Sequence, residues 1–425
     1  MHAPGWVLLT VAFLLGPAVA TSTAAAVDPV TMIVGFYEFP SEVSPGAPLL
    51  GGRVVGSVPG LGFVLVEAAS VDTVVAAAVS DPRVRYVEED TVRQWVRFTP
   101  NDPSFRSQYG PQLVRAPEAW DVTRGTVLRV VCVVDSGLRA THEEFLGPRY
   151  QGGYDFVGKD ADPADDHGHG THVAGIAAGA LHNGKGIAGL GNLGLRVAKV
   201  LDAEGRSPTS RVAEGIHWCV QNGAHVINLS LGGEGNSPTL RIAVEAAAAA
   251  NVLVVASAGN DGPCPGGCVG YPARYSAAMA VGCVTATKAL CWFSSTGIHV
   301  EVAAPGESIL SAYHSGDASY ARMSGTSMSA PHVAGAAALL WSYVPTLTAG
   351  QVREVLRDTA QDLGAAGCDV GFGHGLLDVK AALDAAALSP LTSDVAAPRA
   401  VAPSLAYTDN ACFPGVGPDL LGVVG

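Results

Sequence analysis

Charge is scarce in this chain: only 15% of its 425 residues are Asp, Glu, Lys or Arg, and aromatics make up 7%. Basic side chains are the scarcer kind, 25 against 38 acidic, which leaves a formal net charge of -13. That balance argues against nucleic acid as a partner, because phosphates require Lys and Arg. Long apolar runs are missing beyond the first two dozen residues, so no membrane span is expected once that segment is removed. No C-x-x-C pair recurs, which argues against a zinc ribbon.

What is abundant is small and apolar. Hydrophobic residues reach 48% and glycine alone counts 52, a composition suited to closely packed helices on a sheet and to many sharp turns. The length is a soft prior for two or three domains. Residues 1–20 read as a signal peptide, with an apolar core from Trp6 to Leu15 and a small-x-small site at Ala18-Val19-Ala20. A secreted, extracellular protein is therefore expected, and its eight cysteines fit an oxidising compartment. Cys264 and Cys268 stand in a glycine-rich loop suited to a local disulfide, and Cys283 and Cys291 flank a short connection and are spaced to pair. Cys132 and Cys219 lie in apolar segments and read as buried thiols.

Residues 30–97 alternate short strands with one capped helical stretch, "SVDTVVAAAVSD", and suggest a small α+β domain of ferredoxin-like type. From about Val127 the texture changes. Continuous apolar runs such as "VLRVVCVVDSG", "LRVAKVLD", "HVINLSLGG" and "VLVVASAGN" alternate with helical stretches. Strands without polar alternation are buried on both faces, which predicts a doubly wound, mostly parallel α/β sheet with helices on both faces. Sites in such sheets gather beyond the carboxyl ends of the strands, where Asp135, Ser230 and Asn260 fall. Residues 388–425 are rich in Pro, Ala and Gly without periodicity and read as an extension of low order.

The stretch "ADDHGHGTHVAG" carries His167, His169 and His172 within six positions. A zinc hydrolase needs further ligands at set distances, and none is marked out. In "MSGTSMSAPHVAGAAALLW", Ser327 stands at the start of a long apolar helix, where unpaired N–H groups and the helix dipole favour a developing negative charge. An N-cap serine would look the same. Its company decides: Asp135 at one strand end, His169 at another helix start and Asn260 at a third site give the chain order Asp, His, Ser.

With "VVDSG", "HGHGTHVAG", "NLSLGG", "ASAGN", "VAAPG" and "SGTSMSAPHVAG" in order, residues 98–387 resemble the subtilisin family of serine proteases, its thermitase-like branch in particular. The resemblance implies a secreted endopeptidase working through an acyl-enzyme. Ser327 would be the nucleophile, His169 the general base and then acid, Asp135 its orienting carboxylate and Asn260 the oxyanion donor. Substrate would add as a strand beside Ser230, Leu231 and Gly232, and Gly270 at the pocket floor implies room for large apolar side chains, with Asp261 at the rim. Calcium is implied at two places: Asp102, Glu144, Asn183 and the carbonyls of Ala180, Lys185 and Ile187, and, in part, Asp155, Asp160 and Asp162. Residues 30–97 would be an inhibitory propeptide, cut near Arg97–Phe98, that occupies the cleft until removal. Partners are then protein or peptide substrates and the chain's own propeptide, with the enzyme a monomer. The competing reading is a catalytically silent module of the same fold used for binding.

Overall fold

A computed structural model describes residues 29–40, 43–90 and 98–388. The signal sequence, the expected cut near Arg97 and the tail beyond residue 388 lie outside or at the margin of the described residues. Contacts divide the chain into two compact units, Met1–Val96 and Arg97–Gly425.

The first unit is a five-stranded antiparallel sheet with one α-helix. Its elements are β1 (Val30–Phe36), β2 (Pro48–Leu49), β3 (Gly52–Val58), β4 (Phe63–Ala68), α1 (Val71–Val79) and β5 (Val84–Glu89), in the sheet order β2-β3-β4-β1-β5. Alternation sets its core: Met32, Val34, Val64 and Val66 point inward with Val74 of α1. Ser70 caps α1 by accepting from the Thr73 N–H at 3.3 Å. The long strands run in the order of a split βαβ unit. Where its first helix would stand, the described residues between Phe36 and β2 form no helix; Pro40 and Pro45 interrupt that stretch.

The second unit opens with α2 (Tyr109–Leu113) and α3 (Ala116–Trp120). Then come β6 (Val130–Asp135), β7 (Tyr150–Asp155), α4 (His169–Ala178), β8 (Gly194–Lys199), α5 (Thr209–Gln221), β9 (Val226–Leu229), α6 (Pro238–Ala249), β10 (Leu253–Ser257), β11 (Ala278–Val284) and β12 (Val300–Pro305). A hairpin, β13 (Ile309–Ala312) and β14 (Tyr320–Met323), precedes α7 (Thr326–Tyr343), α8 (Ala349–Asp358) and α9 (Val379–Leu388). Strands β12-β11-β10-β9-β6-β8-β7 form one parallel sheet.

Consecutive residues of β6 feed opposite cores. Val131 and Val133 belong to the core on the side of α4 and α7, whereas Cys132 and Val134 belong to the core on the side of α5. Both faces are covered, which is why the strand sequences carry no polar alternation. Helix α7 is buried along almost its whole length and packs against α4 and strands β9 to β12. Cys132 and Cys219 are not thiols: they form a disulfide with a Cα–Cα distance of 5.9 Å. Their apolar settings are the facing surfaces of β6 and α5, and parallel packing brings the two sulfurs together across 87 residues of sequence. Cys264–Cys268 and Cys283–Cys291 pair as their spacing suggests. Among the described residues no helix is long and apolar enough to cross a membrane.

Candidate active site

Asp135 is the last residue of β6 and is fully buried. Its Oδ1 accepts from the Ser136 N–H and from His169 Nδ1, each at 2.7 Å. His169 opens α4, and two glycines allow it to reach the aspartate. A Cβ on Gly170 would overlap the carbonyl of Gly137, so the helix start lies directly on the main chain that follows Asp135. The N-cap residue Gly168 has φ 99°, a left-handed turn that suits glycine.

A second carboxylate secures the same junction. Asp165 accepts from Ser136 Oγ (2.9 Å), from the His167, Gly168 and Thr171 N–H groups (3.1, 2.8 and 2.9 Å) and from Thr171 Oγ1 (2.6 Å). Ser136 Oγ in turn accepts from the Gly170 N–H at 2.9 Å. Burial works against the Asp165 charge, but these donors overcome it and hold the carboxyl below its ordinary pKa. Asp166 points away, to Lys199 Nζ at 2.5 Å. For His169, burial lowers the pKa, yet the charge and hydrogen bond of Asp135, with Asp165 adding, leave it raised.

The other histidines of the cluster do different work. His172 is buried within hydrogen-bond distance of the carbonyls of Ile309 and Ala321, and burial pushes its pKa down to about 4. His167 is half-buried, its ring 6.2 Å from that of His169. Among the described residues no group of three or more His, Cys, Asp or Glu side chains could hold a metal ion.

Ser327 stands in the first turn of α7. Its Oγ donates to the Ser230 carbonyl at 3.2 Å rather than to His169, and Ser230 Oγ donates back to the Ser327 carbonyl at 2.7 Å. Asn260 follows β10. Its Oδ1 accepts from the Thr326 N–H at 2.9 Å, which commits the amide oxygen and leaves Nδ2 as a donor. A Cβ built on Gly325 would lie 3.4 Å from Asn260 Nδ2 and 3.6 Å from the Ser327 N–H nitrogen. The missing side chain thus leaves a space flanked by two N–H donors beside the serine. This is an arrangement able to receive an oxyanion.

Ser230, Leu231 and Gly232 leave the end of β9, and Gly233 pairs in antiparallel fashion with Tyr271, N–H to carbonyl at 3.0 and 2.8 Å. Gly270 donates to the Ala258 carbonyl at 2.9 Å, and a Cβ there would come within 3.3 Å of the Gly233 carbonyl. The expected substrate-binding residues therefore lie on two main-chain segments that are hydrogen-bonded to each other. The Asp261 carboxylate is within 3.4 Å of Ser295 Oγ.

Away from the cleft, Asp102 and Glu144 are both buried. Asp102 accepts from the His182 and Asn183 N–H groups at 2.8 and 3.0 Å. Glu144 Oε1 accepts from the Ile187 N–H and Tyr320 OH, each at 2.8 Å, and Oε2 from Asn183 Nδ2 at 3.3 Å. The Ala180 N–H donates to the Glu144 carbonyl at 3.1 Å, while the Lys185 N–H donates to Asn183 Oδ1 at 2.7 Å. Burial, with Asp102 nearby, pushes the Glu144 carboxyl up to about 7. Asp155 and Asp160 face each other across a β-bridge, both carboxylates near the position of a Gly158 Cβ, whereas Asp162 is exposed farther along the loop.

A buried carboxylate bonded to an imidazole, and a serine at a helix start beside two N–H donors, stand at the carboxyl edge of a parallel sheet, and these are the groups a serine hydrolase requires. Residues 129–375 match the Subtilase family, and the chain belongs to it as a subtilisin-like serine endopeptidase. It is 44% identical to subtilisin DY of Bacillus licheniformis over 254 residues, 59% of this chain and 89% of that protein. It is 42% identical to thermitase of Thermoactinomyces vulgaris over 272 residues, 64% of this chain and 94% of that protein. A solved protease from Pseudoalteromonas arctica superposes with a TM-score of 0.63 at 32% identity, covering 68% of this chain and all of that one.

Proposed function

We propose that the enzyme is a secreted, calcium-stabilised endopeptidase made as a zymogen, and that Asp135, His169 and Ser327 are its triad. The observation that carries this reading is the 2.7 Å bond from His169 Nδ1 to the buried Asp135, with Ser327 at the start of α7 as the nucleophile it would serve. The His169–Asp135 bond leaves Nε2 of the ring as the base. Ser327 Oγ turns from the Ser230 carbonyl, gives its proton to His169 and attacks the scissile carbonyl carbon. Asn260 Nδ2 and the Ser327 N–H receive the oxygen as it becomes negative. The imidazolium, stabilised by Asp135, passes its proton to the leaving amine, and water repeats the sequence on the acyl-enzyme.

Peptide would pair as a strand with Ser230, Leu231 and Gly232, and its P1 side chain would enter the gap beside Gly270. The absence of a side chain at Gly270 suits a large apolar P1 residue. Asp102 and Glu144 suit a hard cation such as Ca2+: burial raises the cost of ionising both carboxylates, Asp102 adds to it at Glu144, and a cation offsets it. Asn183 and the carbonyls of Ala180, Lys185 and Ile187 belong to the same loop, and the ion's role there is structural. Asp155 and Asp160, with Asp162 nearby, are the weaker second candidate. The α+β unit preceding Arg97 supports the propeptide reading, with the peptidase acting as a monomer.

Ser327→Ala tests the assignment. It is expected to abolish turnover of an apolar-P1 peptide, a loss on the order of 10⁶-fold in kcat, and to leave residues 30–97 covalently attached, whereas the parent product begins near Phe98 by N-terminal sequencing. Turnover and processing at the parent rate would overturn it.

A further inference from the structure

The donor side chain of Asn260 sits on an exposed turn, yet an oxyanion donor is effective only if it is held before charge develops. We propose that residues 291–297, anchored by the Cys283–Cys291 disulfide, position Asn260, with Ser295 as the principal contact. The proposal rests on the reading of Asn260 as the oxyanion donor.

Three consecutive bonds tie the turn to this segment. The Ser295 N–H donates to the Gly259 carbonyl at 3.0 Å, the Asp261 N–H donates to Ser295 Oγ at 3.2 Å, and the Gly262 N–H donates to the Phe293 carbonyl at 2.8 Å. Residues on both sides of Asn260 are therefore held by this segment, while Thr326 holds the Asn260 amide oxygen through its N–H and Oγ1 (2.9 and 3.1 Å) and leaves Nδ2 to face the nucleophile. Gly259 has φ 118°, and a Cβ there would come within 2.7 Å of Ser295 Oγ, so glycine is needed for the approach. The same segment holds the neighbouring loop: Cys264 N–H donates to Thr296 Oγ1 at 3.3 Å and Cys268 N–H to the Thr296 carbonyl at 2.8 Å.

Ser294 and Ser295 are fully buried. Burying hydroxyls is costly unless they are bonded: Ser294 Oγ accepts from the Cys283 N–H and donates to the Ser295 carbonyl, and Ser295 Oγ accepts from the Asp261 N–H and donates to the Asp261 carboxylate. The segment is fixed to β11 by Cys283–Cys291, with both cysteines fully buried, and by Cys283 N–H to Ser294 Oγ at 3.0 Å. The disulfide also abuts the serine side. A Cβ on Gly306 would lie 2.7 Å from Cys283 Sγ and 2.7 Å from the Gly325 carbonyl, and the Gly325 N–H donates to the Gly306 carbonyl at 2.9 Å. Both oxyanion donors, Asn260 Nδ2 and the Ser327 N–H, are thus referenced to one disulfide-anchored piece of chain.

The test measures kcat and KM on a peptide substrate, per active site titrated with a serine-directed reagent. Cys283→Ala/Cys291→Ala is expected to lower kcat by about tenfold and Ser295→Ala by about three- to tenfold, with KM within about twofold, because the interaction is realised in the transition state. Asn260→Ala is expected to lose about 10²–10³-fold, and in that background Ser295→Ala should cost less than about twofold. Cys132→Ala/Cys219→Ala, on the opposite face of the sheet, should lower Tm and leave kcat within about twofold. If Ser295→Ala keeps the parent kcat while Asn260→Ala loses its hundredfold, the positioning role is overturned and the oxyanion reading stands. A Ser295→Ala loss that persists in full without Asn260 also overturns it. Parent-like kcat in Asn260→Ala overturns the oxyanion reading itself. Should the Cys283/Cys291 variant fail to fold, Ser295→Ala and its combination with Asn260→Ala decide.

Discussion

The two halves of the proposed active site are fixed by different means. On the His169 side, main chain meets main chain: Gly170 lies on the Gly137 carbonyl, and Asp165 gathers donors from both segments around that contact. On the Asn260 side the turn is held by side chains, Thr326 at the start of α7 and Ser295 on a segment that a disulfide anchors. A general base must keep one orientation against a fixed carboxylate, and backbone packing supplies that without adjustable parts. A donor on an exposed turn has no such packing, and on the proposal made above its precision depends on covalent and hydrogen-bonded support from the neighbouring segment 291–297.

The contrast can be broken at several strengths. Asp135→Asn should have the largest effect, about 10⁴-fold in kcat, from loss of the correct tautomer and of imidazolium stabilisation. It also changes the pH profile. The base works deprotonated, and Asp135 holds the His169 pKa raised, so the acid limb of kcat/KM in the parent lies above the ordinary imidazole range. Removing the anion leaves burial to dominate, and residual activity should persist to lower pH. An acid limb that does not move would detach His169 from the reaction.

Gly170→Ala comes next. Its Cβ forces the start of α4 away from Gly137, and a displacement of about 1 Å costs about 10²-fold in kcat. That loss should exceed the Ser295→Ala loss, since no soft contact can absorb it; the reverse ranking, read from steady-state kinetics, would dissolve the distinction between the two halves. Smaller again is the effect of opening Cys132–Cys219, which should cost about 2–4 kcal/mol in denaturant unfolding with activity retained. Chelation of calcium should lower Tm, since an ion at 100 times its Kd contributes about 2.7 kcal/mol, and Glu144→Gln should blunt the recovery of Tm on adding calcium back.

Much of this was legible in the sequence because parallel strands buried on both faces announce themselves. The runs ending at Asp135, Leu229 and Ser257 are continuously apolar, and their carboxyl ends bring Asp135, Ser230 and Asn260 to one edge. Strand β7 is harder to see: "YQGGYD" has two glycines and little apolar character, as an edge strand can afford. The Cys132–Cys219 bond was hidden because its partners lie 87 residues apart in segments that look like ordinary core. Asp165 reads as one more acidic loop residue until the turn folds five donors around it. The support for Asn260 was the least visible, since "SST" at 294–296 carries no motif or apolar pattern, although all three residues are buried. Polar residues that serve a site from inside the fold leave no periodicity to detect.

The most direct test of the account is peptide mapping after treatment with a fluorophosphonate. A single modification on Ser327, suppressed by several orders of magnitude in His169→Ala, is the predicted result. Modification of a different residue, or of Ser327 at an unchanged rate without His169, would contradict it.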